Sequence, residues 1–505
     1  MSRITIIIML VTVFSKVIGF FRDIILSYLY GATNVTDAYL VSLSIPTAIF
    51  GFIGIGISTG YIPMISKIQQ KHGEKESLKF TNNLVTILVI LCSIICILGN
   101  IFIEEVVKLF ASGFEGETLK LAIKFTRISL YGMYFTGIIY IYSGLLQVKG
   151  KYIVPALIGF PLNIVIILSL LLSVKVHVLI LSIGTVIALA SQLLFLIPFL
   201  YKIGYRFRFT FEIKNKYLIE MAVISVPLII GISMNQINIL IDRTLASQTI
   251  EGGISALNYA NTLNGFVQSV LVMPLVTVMY PIISKLAVDN NKTGIQKAIF
   301  DMITGINLLV IPATVGFMFF AKPIVVMLFG RGAFDIQAAN LTSEALFFFS
   351  IGMIGFGLRE VLARVFYSMQ DTKTPMINAG LGMFLNIVLN VILTRYMGIG
   401  GLALATSISA IVTTILMFFS LVRKIGFFNL KRVAVSCLKI VFASLIMGVI
   451  TKLCFNSLSS YTKNMNLSLL ISIVAGVFVY WLIIYFMRVG DLQVFKLLKD
   501  RVRKA

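Results

Sequence analysis

Apolar residues occupy most of the chain in long runs, and short polar stretches separate one run from the next. A helix needs about 20 apolar residues to cross a bilayer. Runs of this length recur from end to end and predict fourteen membrane-spanning helices. Their limits are roughly 4–30, 37–65, 80–109, 121–147, 153–174, 177–201, 217–249, 255–284, 298–320, 339–369, 375–396, 399–422, 433–455 and 466–488. We therefore expect an all-α polytopic membrane protein.

Lys and Arg concentrate in every second loop between these runs. The loop after the second run carries Lys67, Lys71 and Lys75, whereas the next loop carries Glu104 and Glu105. Cytoplasmic loops accumulate Lys and Arg, so the alternation predicts the orientation of each helix. It also supports an even number of crossings, with both termini in the cytoplasm.

Two short motifs recur in the second half of the chain. Residues 63–67 (Pro-Met-Ile-Ser-Lys) return as residues 281–285 (Pro-Ile-Ile-Ser-Lys), and residues 162–165 (Leu-Asn-Ile-Val) return as residues 385–388. Each pair lies at matching helix positions, which predicts that helices one to six and seven to twelve are two copies of one bundle. Because six is even, the copies share an orientation. This is the arrangement of transporters in which two bundles rock about a central cavity.

The repeat defines the predicted domains, with helices thirteen and fourteen as an addition. They are an N-terminal six-helix bundle at 1–201, a cytoplasmic linker at 202–216, a C-terminal six-helix bundle at 217–424, and a final helix pair with a basic cytoplasmic tail at 425–505.

Composition excludes several classes of function. Charged residues make up 12% of the chain, about half the soluble average, and the net charge is +22. No polar interval exceeds about 20 residues, which is too short for a domain with its own core. The basic residues are dispersed, unlike a nucleic-acid surface, and nucleotide, metalloprotease and hydrolase motifs are absent. The sequence therefore predicts a transporter and not an enzyme.

Helix one carries three charged residues at membrane depth, where a charge is costly and usually functional. Lys16 and Asp23 share a face, and Arg22 lies about 120° from Lys16 around the helix. Two cations that reach into a cavity suit a phosphate group, with Asp23 restraining one of them. The alternative is that Arg22 and Asp23 form a structural pair while Lys16 extends to the membrane surface.

Oxygen-bearing side chains form two further stripes. Asn235, Asn238 and Asp242 share one face of helix seven, and Asn386 and Asn390 share a face of helix eleven. Carboxylate and amide oxygens suit a small cation such as sodium. The alternative is hydrogen bonding between helices.

Longer motifs resemble a known family. Residues 16–23 (Lys-Val-Ile-Gly-Phe-Phe-Arg-Asp) and 36–39 (Thr-Asp-Ala-Tyr) resemble the start of the MurJ (MviN) lipid II flippases. Residues 330–334, 362–367 and 371–375 are similar to that family's signatures around helix ten. The resemblance covers nearly the whole chain, including the fourteen-helix count.

The resemblance implies membership of the multidrug/oligosaccharidyl-lipid/polysaccharide exporter superfamily. The implied function is to flip lipid II, the undecaprenyl-diphosphate-linked peptidoglycan precursor, across the bacterial plasma membrane by alternating access. It also implies contact with membrane lipids and with cell-wall synthesis proteins, and no tightly bound cofactor.

The resemblance further assigns site residues. The implied substrate-binding residues are Lys16, Arg22, Asp23 and Asp37. The implied sodium ligands are Asp242, Asn386, Asn390, the carbonyl region of Leu402, and Thr406. Sodium would be the coupling ion, with a proton or the membrane potential as the alternatives.

The chain departs from the family pattern at three places. Cavity arginines that some members carry on helices two and eight fall near Phe50 and Gly51 and at Thr262, and Asn390 replaces an Asp of some members. These departures leave three alternatives open: a flippase for another undecaprenyl-linked glycan, a cation-coupled drug exporter of the same superfamily, or a non-transport scaffold.

Overall fold

A computed structural model describes residues 3–289, 291–426, 430–462 and 464–487. Throughout these residues the regular structure is helical, and no strand occurs among them, which confirms the all-α prediction. The helices are α1 (Arg3–Tyr30), α2 (Asn34–Ile101), α3 (Ile103–Phe110), α4 (Gly116–Ser129), α5 (Gly132–Val148), α6 (Ile153–Leu157), α7 (Gly159–Lys175), α8 (Ile180–Lys202), α9 (Lys216–Thr249), α10 (Gly253–Val267), α11 (Met273–Val288), α12 (Lys292–Phe329), α13 (Ile336–Ser368), α14 (Lys373–Ile425), α15 (Leu430–Thr462) and α16 (Met465–Phe486). A π-helical turn, Gln268–Val272, joins α10 to α11.

Two of the longest helices each contain two predicted spans. α2 is interrupted at Gly73, where φ is +86°, and α14 at Gly398, where φ is +52°. Glycine reaches positive φ without the clash that a Cβ would cause, so the chain bends at these points. Ten segments of the described residues are long and apolar enough to cross a membrane. The count of fourteen crossings stays a prediction.

The first compact unit is Ser2–Ser255. Within it α2 packs against α4, α5 and α9, and α7 packs against α1 and α8. Fully buried side chains such as Tyr61, Leu88 and Ile141 form its core. A Cβ at Gly144 would lie 2.8 Å from the Tyr61 ring, so only glycine permits this close packing.

Ion pairs and amide hydrogen bonds hold the start of α9 within the first unit. Lys67 pairs with Glu220, and Lys79 Nζ lies 2.8 Å from Glu212 Oε1. The backbone of Glu212 also exchanges two hydrogen bonds with the side chain of Asn83, at 2.7 and 2.9 Å. Exposed ion pairs contribute about 0–1 kcal/mol each, and α9 also packs along α2.

The second compact unit is Ala256–Ala505. Here α13 packs against α12 and α14, and buried residues such as Ile306, Met353 and Phe366 form the core. The final helices, α15 and α16, pack on α12, where Tyr480 Oη donates a hydrogen bond to the Leu308 carbonyl at 2.7 Å. The predicted basic tail, 488–505, lies outside the described residues.

Asp371 anchors the loop between α13 and α14. Its carboxylate accepts hydrogen bonds from the Thr374 N–H at 3.0 Å, from the Thr374 hydroxyl at 2.8 Å, and from Lys424 Nζ at 2.5 Å. Partial burial acts to raise the pKa of Asp371, but these hydrogen bonds and the Lys424 charge outweigh it and lower the pKa to about 2. The carboxylate therefore ties the end of α14 to its beginning.

Candidate functional site

Arg22 and Asp23 form an ion pair on α1. Arg22 Nε and Nη2 both donate to Asp23 Oδ1, at 2.9 and 2.8 Å. The Arg22 side chain is 29% exposed and that of Asp23 is 13% exposed. Asp23 therefore restrains the guanidinium, and the Arg22 side chain as a whole stays partly exposed.

A second helix also holds this arginine. Arg22 Nη1 donates to Asn163 Oδ1 on α7 at 3.2 Å. Sequence reasoning identifies Asn163 only as a marker of the internal repeat and not as a site residue. Its match to Asn386, which belongs to the predicted sodium site, is the signal that points to it.

Lys16 lies apart from this pair. It is exposed, and it precedes Arg22 by about 9 Å along the axis of α1. Among the described residues no ion pair and no hydrogen bond engages its ammonium group. Lys16 therefore adds a basic side chain to the same helix that no described residue pairs with.

Asp37 lies near the start of α2 and is 2% exposed. Its Oδ2 accepts the Gly252 N–H at 2.9 Å, and its Oδ1 accepts the Ser255 N–H at 2.7 Å and the Ser255 hydroxyl. A helix start leaves backbone N–H groups without partners inside the helix, and an acceptor side chain satisfies them. Asp37 thus caps α10 from a distant part of the sequence.

Gly252 makes this capping contact feasible. Its φ is +78°, and a Cβ at this position would lie 2.2 Å from the Ala32 carbonyl oxygen. Only glycine fits both the backbone conformation and the space.

Asp242 lies on α9, in the first unit. Asn238 Nδ2 lies within 3.4 Å of its Oδ2, and the Arg243 guanidinium interacts electrostatically with both Asp242 and Asp37. Asn238 Oδ1 is buried and accepts no hydrogen bond from the described residues. The side chain of Asn235, predicted on the same face, lies outside the described part of the chain.

The other four predicted sodium ligands meet within the second unit. Asn390 Nδ2 donates to Asn386 Oδ1 at 2.9 Å, and Asn386 Nδ2 donates to Thr406 Oγ1 at 3.3 Å. Thr406 Oγ1 donates in turn to the Leu402 carbonyl at 2.9 Å. The bend at Gly398 folds the two halves of α14 side by side, which brings residues so far apart in sequence into contact. The cluster presents amide, hydroxyl and carbonyl oxygens, the donor types that bind hard cations.

The positions that match the family's additional arginines are uncharged and already engaged. Phe50 is buried and its ring stacks on Tyr140 at 6.2 Å. The Thr262 hydroxyl donates to the Asn258 carbonyl at 2.8 Å. Neither Phe50 nor Thr262 supplies a positive charge.

Comparisons with known proteins give a consistent picture. Residues 26–476 match the family model described as lipid II flippase MurJ. A probable lipid II flippase MurJ of Vibrio cholerae is 29% identical, covering 82% of this chain and 81% of that protein. One of Thermotoga maritima is 28% identical, covering 95% of this chain and 96% of that protein.

Solved structures of similar fold agree with the family match. A lipid II flippase MurJ in an inward closed conformation is similar with a TM-score of 0.83 and 26% identity, covering 96% of this chain and 99% of that one. An inward-facing multidrug resistance MATE family transporter of the MOP superfamily has a TM-score of 0.71 at 16% identity, covering 82% of this chain and 94% of that one. This second likeness concerns the fold alone.

Proposed function

Because this chain belongs to the MurJ family of lipid II flippases, we propose that it moves lipid II from the inner to the outer leaflet of the bacterial plasma membrane. It is a multi-pass transporter and not an enzyme. The observation that carries this conclusion is the family match over residues 26–476, together with relatives that align over nearly their full length.

The geometry at helix one supports a diphosphate substrate. Arg22 presents a partly exposed side chain on a membrane helix, and Lys16 is an exposed residue on the same helix. Guanidinium groups bind phosphate through paired, charge-assisted hydrogen bonds. The headgroup of lipid II would enter from the cytoplasm and leave on the outer side by alternating access.

The drug-exporter alternative is not favoured. The family model and the aligned relatives are described as lipid II flippases, whereas the multidrug transporter is similar at 16% identity, which supports a shared fold only. Another undecaprenyl-linked glycan remains an outcome of the substrate test.

The experiment is to deplete a bacterium of its own flippase and to express this chain in its place, measuring accumulated lipid intermediates. We expect rescue by the wild type, none by Arg22→Ala, and partial rescue by Arg22→Lys, which keeps the charge without the planar fork. Good membrane expression without rescue, combined with transport of another undecaprenyl-linked glycan, would overturn the lipid II assignment. Full rescue by Arg22→Ala would show that Arg22 and Asp23 are a structural pair.

The membrane arrangement is part of the proposal. Fourteen crossings, two six-helix copies at 1–201 and 217–424 around a central cavity, and cytoplasmic termini are supported by the repeat and by the alternation of basic loops. Single cysteines placed at Lys151 and Glu117 should be labelled by impermeant reagents from opposite sides of the membrane. Labelling of both from one side would contradict this topology.

Sodium is the proposed coupling ion. In the second unit the Asn386, Asn390 and Thr406 side chains and the Leu402 carbonyl would hold it, and the family resemblance adds Asp242, which lies in the first unit. Oxygen ligands of this kind suit sodium. The buried Asn238 Oδ1 is a further oxygen near Asp242, and it accepts no hydrogen bond from the described residues. Bound sodium supplies a positive charge that biases the conformational equilibrium through its different affinity for each state.

Thermal stability in sodium and in potassium, at constant ionic strength, tests this site. We expect sodium to stabilise the wild type more than potassium does, and Asp242→Asn or Asn386→Leu to remove the difference. Equal responses of the wild type to both ions would count against sodium and favour a proton or the membrane potential.

A further inference from the structure

The guanidinium of Arg22 is held along two sides. Asp23 Oδ1 accepts from Nε and Nη2 on one edge, and Asn163 Oδ1 accepts from Nη1 on the other side. A guanidinium carries five N–H groups, so these three hydrogen bonds leave two N–H groups, one on each terminal nitrogen. The side chain as a whole is 29% exposed, and no described residue accepts a hydrogen bond from this remaining pair.

Asn163 is itself fixed in orientation. Its Nδ2 donates to the Gly159 carbonyl at 2.8 Å and approaches the Ser15 carbonyl at 3.4 Å, and the residue is 5% exposed. Two carbonyl oxygens beside one end of the amide require that end to be the nitrogen. The amide oxygen therefore faces Arg22.

The contact between α1 and α7 depends on a glycine at the same level. A Cβ at Gly159 would lie 2.0 Å from Ser15 Oγ and 3.2 Å from Ser15 Cβ, so a larger residue would displace the serine side chain from this contact. The tight helix contact keeps Asn163 within reach of Arg22.

The internal repeat matches Asn163 to Asn386, so the hydrogen bonds of the two asparagines can be compared. Its counterpart Asn386 accepts a hydrogen bond from Asn390, one turn along the same helix, at 2.9 Å. The position 223 residues before Asn390 is Ile167, whose side chain has no hydrogen-bond donor. In the first copy the hydrogen therefore comes from Arg22, on another helix.

We propose that Asn163 is a positioning residue for substrate binding: it orients the Arg22 guanidinium so that the two remaining N–H groups face the diphosphate. This inference rests on the proposed function. Asp23 alone holds a single edge, whereas the hydrogen bond to Asn163 also prevents the guanidinium from turning about that edge. Asn163 acts through Arg22 and does not contact the substrate.

The test measures the affinity of the purified full-length protein for undecaprenyl diphosphate. We expect Asn163→Leu, which removes the acceptor at similar volume, to weaken binding about tenfold, the scale of one hydrogen bond to a charged group.

Gln192 provides a matched control for loss of a buried amide. Gln192 is 7% exposed and its Nε2 donates to the Ile158 carbonyl at the start of α7, but it does not contact Arg22. Gln192→Leu should lower thermal stability as Asn163→Leu does, yet leave the affinity unchanged. An equal loss of affinity in both variants would mean that Asn163 has only a structural role, and the inference would be wrong.

A double-mutant cycle with Arg22→Lys tests whether Asn163 acts through Arg22. Lysine lacks the second nitrogen that Asn163 binds, so Asn163→Leu should cause no further loss of affinity in that background. If the losses of affinity in the two single variants multiply in the double variant, Asn163 acts independently of Arg22. That result would overturn the inference while leaving the proposed function intact. If the wild type does not bind undecaprenyl diphosphate at all, the proposed function fails and the inference fails with it.

Discussion

Asp37 is the residue whose role the structure redefines most, and Asp37→Asn separates the two interpretations. The family resemblance groups Asp37 with the substrate-binding residues, whereas its carboxylate accepts hydrogen bonds from the Gly252 N–H, the Ser255 N–H and the Ser255 hydroxyl. Asparagine keeps one acceptor oxygen. If that oxygen stays on Ser255, the amide nitrogen faces the Gly252 N–H, and two donors oppose each other.

The expected cost follows from these contacts. One hydrogen bond to a charged group is lost, which is worth about 1.5–3 kcal/mol, and a buried N–H is left without an acceptor, which costs about 1–3 kcal/mol. The two effects overlap because they concern the same bond. We therefore expect Asp37→Asn to lower the free energy of unfolding by about 2–3 kcal/mol.

Asp335 supplies the matched control. It is an exposed helix cap whose Oδ1 accepts the Ala338 N–H at 2.7 Å. Asparagine caps helices about as well as aspartate, so Asp335→Asn should change stability by less than about 0.5 kcal/mol.

Equilibrium unfolding in mixed detergent micelles measures both variants, and undecaprenyl diphosphate affinity is measured in parallel. The capping interpretation predicts a large loss of stability for Asp37→Asn and an affinity that falls only in proportion to the unfolded fraction. Wild-type stability combined with weakened binding would refute it and would identify Asp37 as a substrate ligand.

Three further predictions concern the stability of the fold. Gly252→Ala should destabilise the protein by more than about 2 kcal/mol, because it adds a clash to the strain of positive φ. Gly204 has the same φ of +78° but open space around it, so Gly204→Ala should cost about 1 kcal/mol. Equal costs in paired unfolding measurements would contradict this prediction. Asp371→Asn should destabilise the protein at pH 7, but progressively less as the pH falls from about 4 toward 2. The reason is that the ionised Asp371, with its lowered pKa, stabilises the fold above the unfolded-state pKa, and protonation removes this contribution. Melting temperatures of wild type and variant across this range test the prediction, and a constant difference would contradict it. Tyr480→Phe should lose the hydrogen bond to the Leu308 carbonyl and about 1 kcal/mol, measurable by the same unfolding titration, and an unchanged stability would show that the bond contributes nothing.

Local properties of the sequence were sufficient to predict the class of the protein and much of its helical structure. Hydrophobic length determines which segments can lie in a bilayer, because backbone groups there must be paired within a helix. The predicted span 4–30 is found as Arg3–Tyr30, and 217–249 as Lys216–Thr249. The i, i+4 spacing of Asn386 and Asn390 likewise sufficed to place both on one helix face, where they hydrogen-bond.

Contacts between distant segments could not be read from such patterns. Arg22 and Asn163 are 141 residues apart, and Asp37 and Ser255 are 218 apart. Helical periodicity determines the face on which a side chain lies, but helix packing determines what it meets. For the same reason the periodicity of α9 does not show which bundle it joins, and its packing against α2 places it in the first unit.

The sequence alone thus determined an all-helical membrane transporter and the charged and amide side chains available to it, because burial in lipid acts on each helix separately. Only the tertiary structure decided that Asn163 orients toward Arg22 and that Asp37 caps α10. Such contacts depend on how closely helices approach, and single glycines such as Gly159 and Gly252 control that distance by the absence of a side chain.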